Sequence, residues 1–123
     1  MNNERIDLVI HELKTRTDIN LNMAGYYNST LSEGCLVVFI GLAAIKQGHP
    51  CSNLDDWDIF NASEWLQYDH SEHPELLCPR GYSDSDLSRV RQVYTREKAI
   101  AMLENLKATG KVDWNIDFSS IDG

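Results

Sequence analysis

Cysteine is scarce in this chain. Cys35, Cys51 and Cys78 are the three present in 123 residues, too few and odd in number for a disulfide framework, so a reducing compartment is the expected setting. Long apolar stretches are missing too. The longest, residues 36–45, reaches across about half of a bilayer core, which excludes it as a transmembrane segment. Met1-Asn2-Asn3-Glu4-Arg5 offers no basic region leading into an apolar one, so no secretory signal is expected and the cytoplasm is the default location. Basic residues are the third shortage: 11 Lys and Arg face 19 Asp and Glu, a net charge of -8. Such a balance repels a phosphate backbone and argues against direct nucleic-acid binding. No Walker loop, dinucleotide glycine pattern or His-Glu-x-x-His helix occurs, and no repeat or linker.

What is present has ordinary globular proportions. With 42% hydrophobic and 24% charged residues, 7 Gly and 3 Pro, the chain reads as one domain over 1–123, long enough to bury an apolar core unaided. Periodicity then points to an all-α, or mainly α, fold of about five helices. Ile6, Val9, Ile10 and Leu13 recur at the spacing of one helical face, predicting a helix over about 3–16. The apolar stretch from Cys35 to Ile45 would also suit a buried strand, but its length favours a central helix, with Ser32 as N-cap, Glu33 in the first turn, and Gly48 and Pro50 as stop signals. Gly41, Ala43 and Ala44 would leave room for close helix contacts. Asn61-Ala62-Ser63-Glu64 opens a short third helix, and Trp57, Ile59, Phe60 and Trp65 are expected mostly in the core. Ser83 or Ser85 caps a fourth helix bearing Leu87, Val90, Val93 and Tyr94. Thr95 caps a fifth bearing Ala99, Ile100, Leu103 and Leu106, closed by Gly110. A minor strand element is possible at Tyr26-Tyr27 or in the tail, where Trp114, Ile116 and Phe118 alternate.

Charge is distributed unevenly. Residues 1–79 hold 4 basic and 12 acidic side chains, whereas 80–111 hold 7 basic and 4 acidic ones. A basic C-terminal helical pair facing an acidic body accounts for this, and so does an acidic surface built for a cationic partner. Asp55-Asp56-Trp57-Asp58 is the densest acidic element. Carboxylates there suit the N-terminal end of a helix, and a tryptophan rimmed by acids also suits the anchor and rim of a protein interface. Without a glycine turn and a closing glutamate it is no EF-hand.

Two other constellations bear on chemistry. Cys35 follows Gly34 at the start of an apolar helix, where a thiolate is favoured, and His49, His70 or His73 would be its partner in a thiol hydrolase. A cysteine opening so apolar a run is more commonly a small buried hydrophobe. His70-x-x-His73 and Cys78, with Cys51 upstream, are residue types that bind zinc, but the paired Cys-x-x-Cys knuckle is absent and a solvated loop explains the same residues. His70-Ser71-Glu72 matches half of a zinc deaminase signature whose downstream Pro-Cys-x-x-Cys is missing. No catalytic residue, metal ligand or cofactor is therefore assigned from the sequence.

The segment 32–48, Ser-Glu-Gly-Cys-Leu-Val-Val-Phe-Ile-Gly-Leu-Ala-Ala-Ile-Lys-Gln-Gly, followed by 93–106, Val-Tyr-Thr-Arg-Glu-Lys-Ala-Ile-Ala-Met-Leu-Glu-Asn-Leu, covers about a quarter of the chain. It resembles small uncharacterised helical proteins of phages and bacteria, in which a Cys-bearing apolar helix precedes a capped terminal helix. The resemblance implies a helical fold and a phage setting, with no activity attached. The expectation for function is a small acidic cytosolic binding protein, encoded by a phage or mobile element, that inhibits or modulates a host or defence protein by occupying a basic surface through Asp55, Asp56, Trp57 and Asp58. A Cys-dependent hydrolase and a zinc-stabilised structural or regulatory module are the alternatives.

Overall fold

A computed structural model of the chain describes residues 2–21, 28–50, 54–69, 71, 76–77 and 96–112. They are mainly helical. Among the described residues are four α-helices, α1 (Asn3–Thr15), α2 (Leu36–Lys46), α3 (Ile59–Leu66) and α4 (Arg96–Thr109), a 3-10 turn at Leu54–Asp56 and two short strands, β1 (Asn20–Leu21) and β2 (Glu33–Gly34). The helix expected over 83–94, the extended tail beyond Val112 and the Tyr26-Tyr27 element lie outside the described residues.

Helix α1 begins where Asn2 accepts the backbone N–H of Arg5 at 3.1 Å, an N-cap that satisfies one orphan donor of the first turn. Its stripe of Ile6, Val9, Ile10 and Leu13 is buried as the periodicity requires and packs against α2, α3 and α4. The central apolar segment is a helix, and seven of its hydrophobic residues, Leu36, Val37, Val38, Phe39, Ile40, Ala43 and Ala44, are buried. Its start differs from the expectation. Ser32 is not the cap: it sits in a left-handed turn with φ of 50°, its carbonyl accepts from Asn20 at 2.8 Å, and Glu33–Gly34 pairs in parallel with Asn20–Leu21. That ladder holds residues 33 and 34 extended, so the N-cap moves to Cys35. The other end follows the glycine signal. Gly48, at φ of 89°, donates to the Ile45 carbonyl and His49 donates to that of Ala44, each at 3.0 Å, which is the paired bonding of a Schellman turn.

Helix α3 starts two residues earlier than its sequence suggested. Asp58 accepts the N–H of Asn61 at 3.0 Å while the Asn61 side chain accepts that of Asp58 at 3.1 Å, a reciprocal capping box that fixes Ile59 as the first helical residue. Left-handed Gln67, with φ of 58°, ends it. At the far end of the chain α4 buries Ala99, Met102, Leu103 and Leu106 and stops at Gly110, whose φ of 75° suits glycine. Thr95, its expected cap, lies outside the described residues.

Arginine side chains tie these helices together at their ends. Arg96, at the start of α4, donates to the carbonyls of Leu13 and Ile19 just where α1 runs out of intrahelical partners, and lies 5.3 Å from the Phe39 ring centre. Arg5 does the same for α3, donating to the Trp65 carbonyl at 2.6 Å and stacking 4.8 Å over the Trp65 ring. A cation at a helix C-terminus is favoured by the carbonyls exposed there, and the flat guanidinium gains further from the aromatic face. Nearer the surface, two hydrogen bonds from Arg16 hold the carboxyl of Asp18 below the ordinary value of 3.8.

Candidate functional site

The acidic element separates into parts with different jobs. Asp56 is exposed at the end of the 3-10 turn, Asp58 is half-buried as the α3 cap, and the side chain of Asp55 lies outside the described residues. Trp57 is not a surface anchor: it is 2% exposed. A methyl group placed on Gly41 would come within 2.9 Å of its Cδ1, so the indole rests directly on the α2 backbone, and the His49 ring meets it edge-on at 5.0 Å. Gly41 therefore makes room for Trp57 and Leu54 rather than for another helix.

Phe60, expected in the core, is instead 67% exposed. The early start of α3 is the reason. With Ile59 first, Ile59, Ala62, Ser63 and Leu66 turn inward, and Phe60, Glu64 and Gln67 fall on the outward stripe at the i, i+4, i+7 spacing, all exposed. The exposed aromatic of this segment is thus Phe60, one helical turn before Glu64, and not Trp57. The signal was present in the sequence as the spacing Asp58-x-x-Asn61, a capping box with Asn in the usual Glu position.

The proposed thiol pair is not assembled with His49. Cys35 is buried at the N-terminal end of α2, whereas His49 lies beyond its C-terminal end, and the eleven intervening helical residues rise about 16 Å at 1.5 Å each. His70, His73, Cys51 and Cys78 lie outside the described residues. Among the described residues no three His, Cys, Asp or Glu side chains come together in a way that could hold a metal ion.

A polar cleft of about 350 Å³ lies alongside α3. Arg5 contributes from α1, Gln47 and His49 from the turn after α2, and Asn61, Glu64 and Trp65 from α3. Periodicity could not have found it, because its walls come from three places in the chain that only the helix packing brings together.

Neither a family model, nor a curated protein, nor a solved structure matches this chain. None of the described helices is long and apolar enough to cross a membrane.

Proposed function

We propose that this chain is a non-enzymatic binding protein that occupies a basic surface of another protein, with Phe60 as the apolar anchor and Asp55, Asp56, Asp58 and Glu64 as the acidic surround. The observation that carries this reading is Phe60, 67% exposed on a helix whose other apolar residues are turned into the core. A large exposed aromatic ring on an acidic segment has the composition of an interface anchor with a charged rim. The overall charge of -8 supports a cationic partner by long-range attraction. A cytoplasmic setting, a phage or mobile element as the source, and inhibition of a host or defence protein belong to this reading through the cysteine content and the resemblance in residues 32–48 and 93–106.

The test is affinity capture with the intact protein and with Phe60→Ala and Asp55→Asn/Asp56→Asn/Asp58→Asn as matched baits. Asparagine caps helices about as well as aspartate, so the triple variant keeps α3 and changes only charge. One stoichiometric basic partner retained by the wild type and lost by both variants is the expected result. A partner held equally by all three baits would overturn the assignment of this surface.

A further inference from the structure

The cleft beside α3 has features that the partner surface does not use. Arg5 and Glu64 both line it, yet among the described residues neither forms an ion pair, with the other or with any third side chain. The guanidinium is held in place by the Trp65 carbonyl at 2.6 Å and by the Trp65 ring beneath it. That bond uses one of its five N–H donors and leaves four. The other wall is the Schellman turn of α2. Helix carbonyls end there, which favours a positive charge, and a side chain at Gly48 would meet nothing within 4 Å, so this wall is open. Gln47 and Asn61 add amide groups, and Asn61 is oriented by its capping bonds to Asp58.

A fixed cation, a carboxylate not ion-paired with it, a helix C-terminus and two amides around about 350 Å³ match a ligand that carries both charges itself. The volume is at the lower end of the range for small-molecule sites. We propose that this cleft binds a small zwitterion of the α-amino acid class, its carboxylate on Arg5 and its ammonium between Glu64 and the end of α2. The inference stands on Arg5, Glu64 and the α2 turn; it shares Glu64 with the partner surface but requires neither Phe60 nor a bound partner, and the titration is done without one.

The test uses the full chain, labelled with nitrogen-15 and titrated with each of the twenty L-amino acids to about 10 mM, enough to saturate a site of millimolar affinity. At least one should shift the Arg5, His49 and Trp65 signals saturably. Its N-acetyl derivative, which lacks the ammonium, and its carboxamide, which lacks the carboxylate, should each bind at least about tenfold more weakly. Glu64→Gln should weaken the amino acid and its carboxamide, which both carry the ammonium, by a similar factor, and should leave the residual binding of the N-acetyl derivative within about twofold of its wild-type level. Glu64 is exposed and carries no side-chain bond among the described residues, so this variant keeps the fold. No saturable shift with any amino acid, full affinity of either derivative, or an unchanged response in Glu64→Gln would each overturn the proposal.

Discussion

Gly41 and Glu12 show how much one side chain decides. Gly41 lies in the middle of α2, where glycine costs about 1 kcal/mol relative to alanine, and it is kept open by Trp57 and Leu54, each 2.9 Å from the position of a Cβ. Gly41→Val should destabilise the fold by about 1–3 kcal/mol, because overpacking outweighs valine's small gain in helix propensity. A urea melt in which this variant matches the wild type would show that the indole does not rest on the backbone. Glu12 is 2% exposed. Its Oε1 accepts from Lys46 at 2.9 Å, while its Oε2 is buried without a hydrogen-bond partner among the described residues. Lys46→Met should therefore cost about 1–3 kcal/mol by leaving a buried carboxylate alone, and Glu12→Leu with Lys46→Met should recover most of it, since an apolar side chain at position 12 removes the unpaired buried charge. Equal melts for the single and double variants would contradict this.

At the scale of elements, helix ends rather than helix middles set the arrangement. The apolar stripes of α1 and α4 say that each helix has a buried face but not which helix lies against which. Arg96 supplies that information by joining the first turn of α4 to the carbonyls of Leu13 and Ile19. Arg96→Gln should lower stability by about 2–4 kcal/mol through loss of two charge-assisted bonds. Arg96→Lys should recover only part, because an ammonium cannot reproduce the planar fork or its stacking on Phe39. The comparison is read from urea midpoints, and full recovery by lysine would reduce the role of Arg96 to that of a point charge.

For the whole molecule the governing quantity is charge. Association with a basic partner should slow steeply with salt as the Debye length falls from about 10 Å at 0.1 M to about 3 Å at 1 M, while dissociation changes less. The Asp55→Asn/Asp56→Asn/Asp58→Asn variant should resemble the wild type at high salt in its on-rate, and Phe60→Ala should act chiefly on the off-rate by removing the desolvated anchor. Stopped-flow or surface-based kinetics with the captured partner separates the two effects. On-rates indifferent to both salt and the triple substitution would remove the acidic surface from the account.

The sequence by itself determined the helical class, the extent of α1, the helical state of residues 36–46, and the stops at Gly48 and Gly110. These depend on local quantities: hydrophobic period, run length and the freedom of glycine at positive φ. It misplaced the start of α2 because the parallel pairing of Glu33–Gly34 with Asn20–Leu21 is non-local and overrides a good local cap. It named Trp57 rather than Phe60 as the surface aromatic because Trp57, which precedes α3, is buried by a non-local contact with the α2 backbone at Gly41, while the capping box that starts α3 at Ile59 leaves Phe60 on its outward stripe. Only the tertiary structure assembled the cleft, since Arg5, His49 and Glu64 are distant in sequence and meet only when α1, the α2 turn and α3 pack around a common core. Burial and helix-end bonding act on the folded surface as a whole, and no window of neighbouring residues contains them.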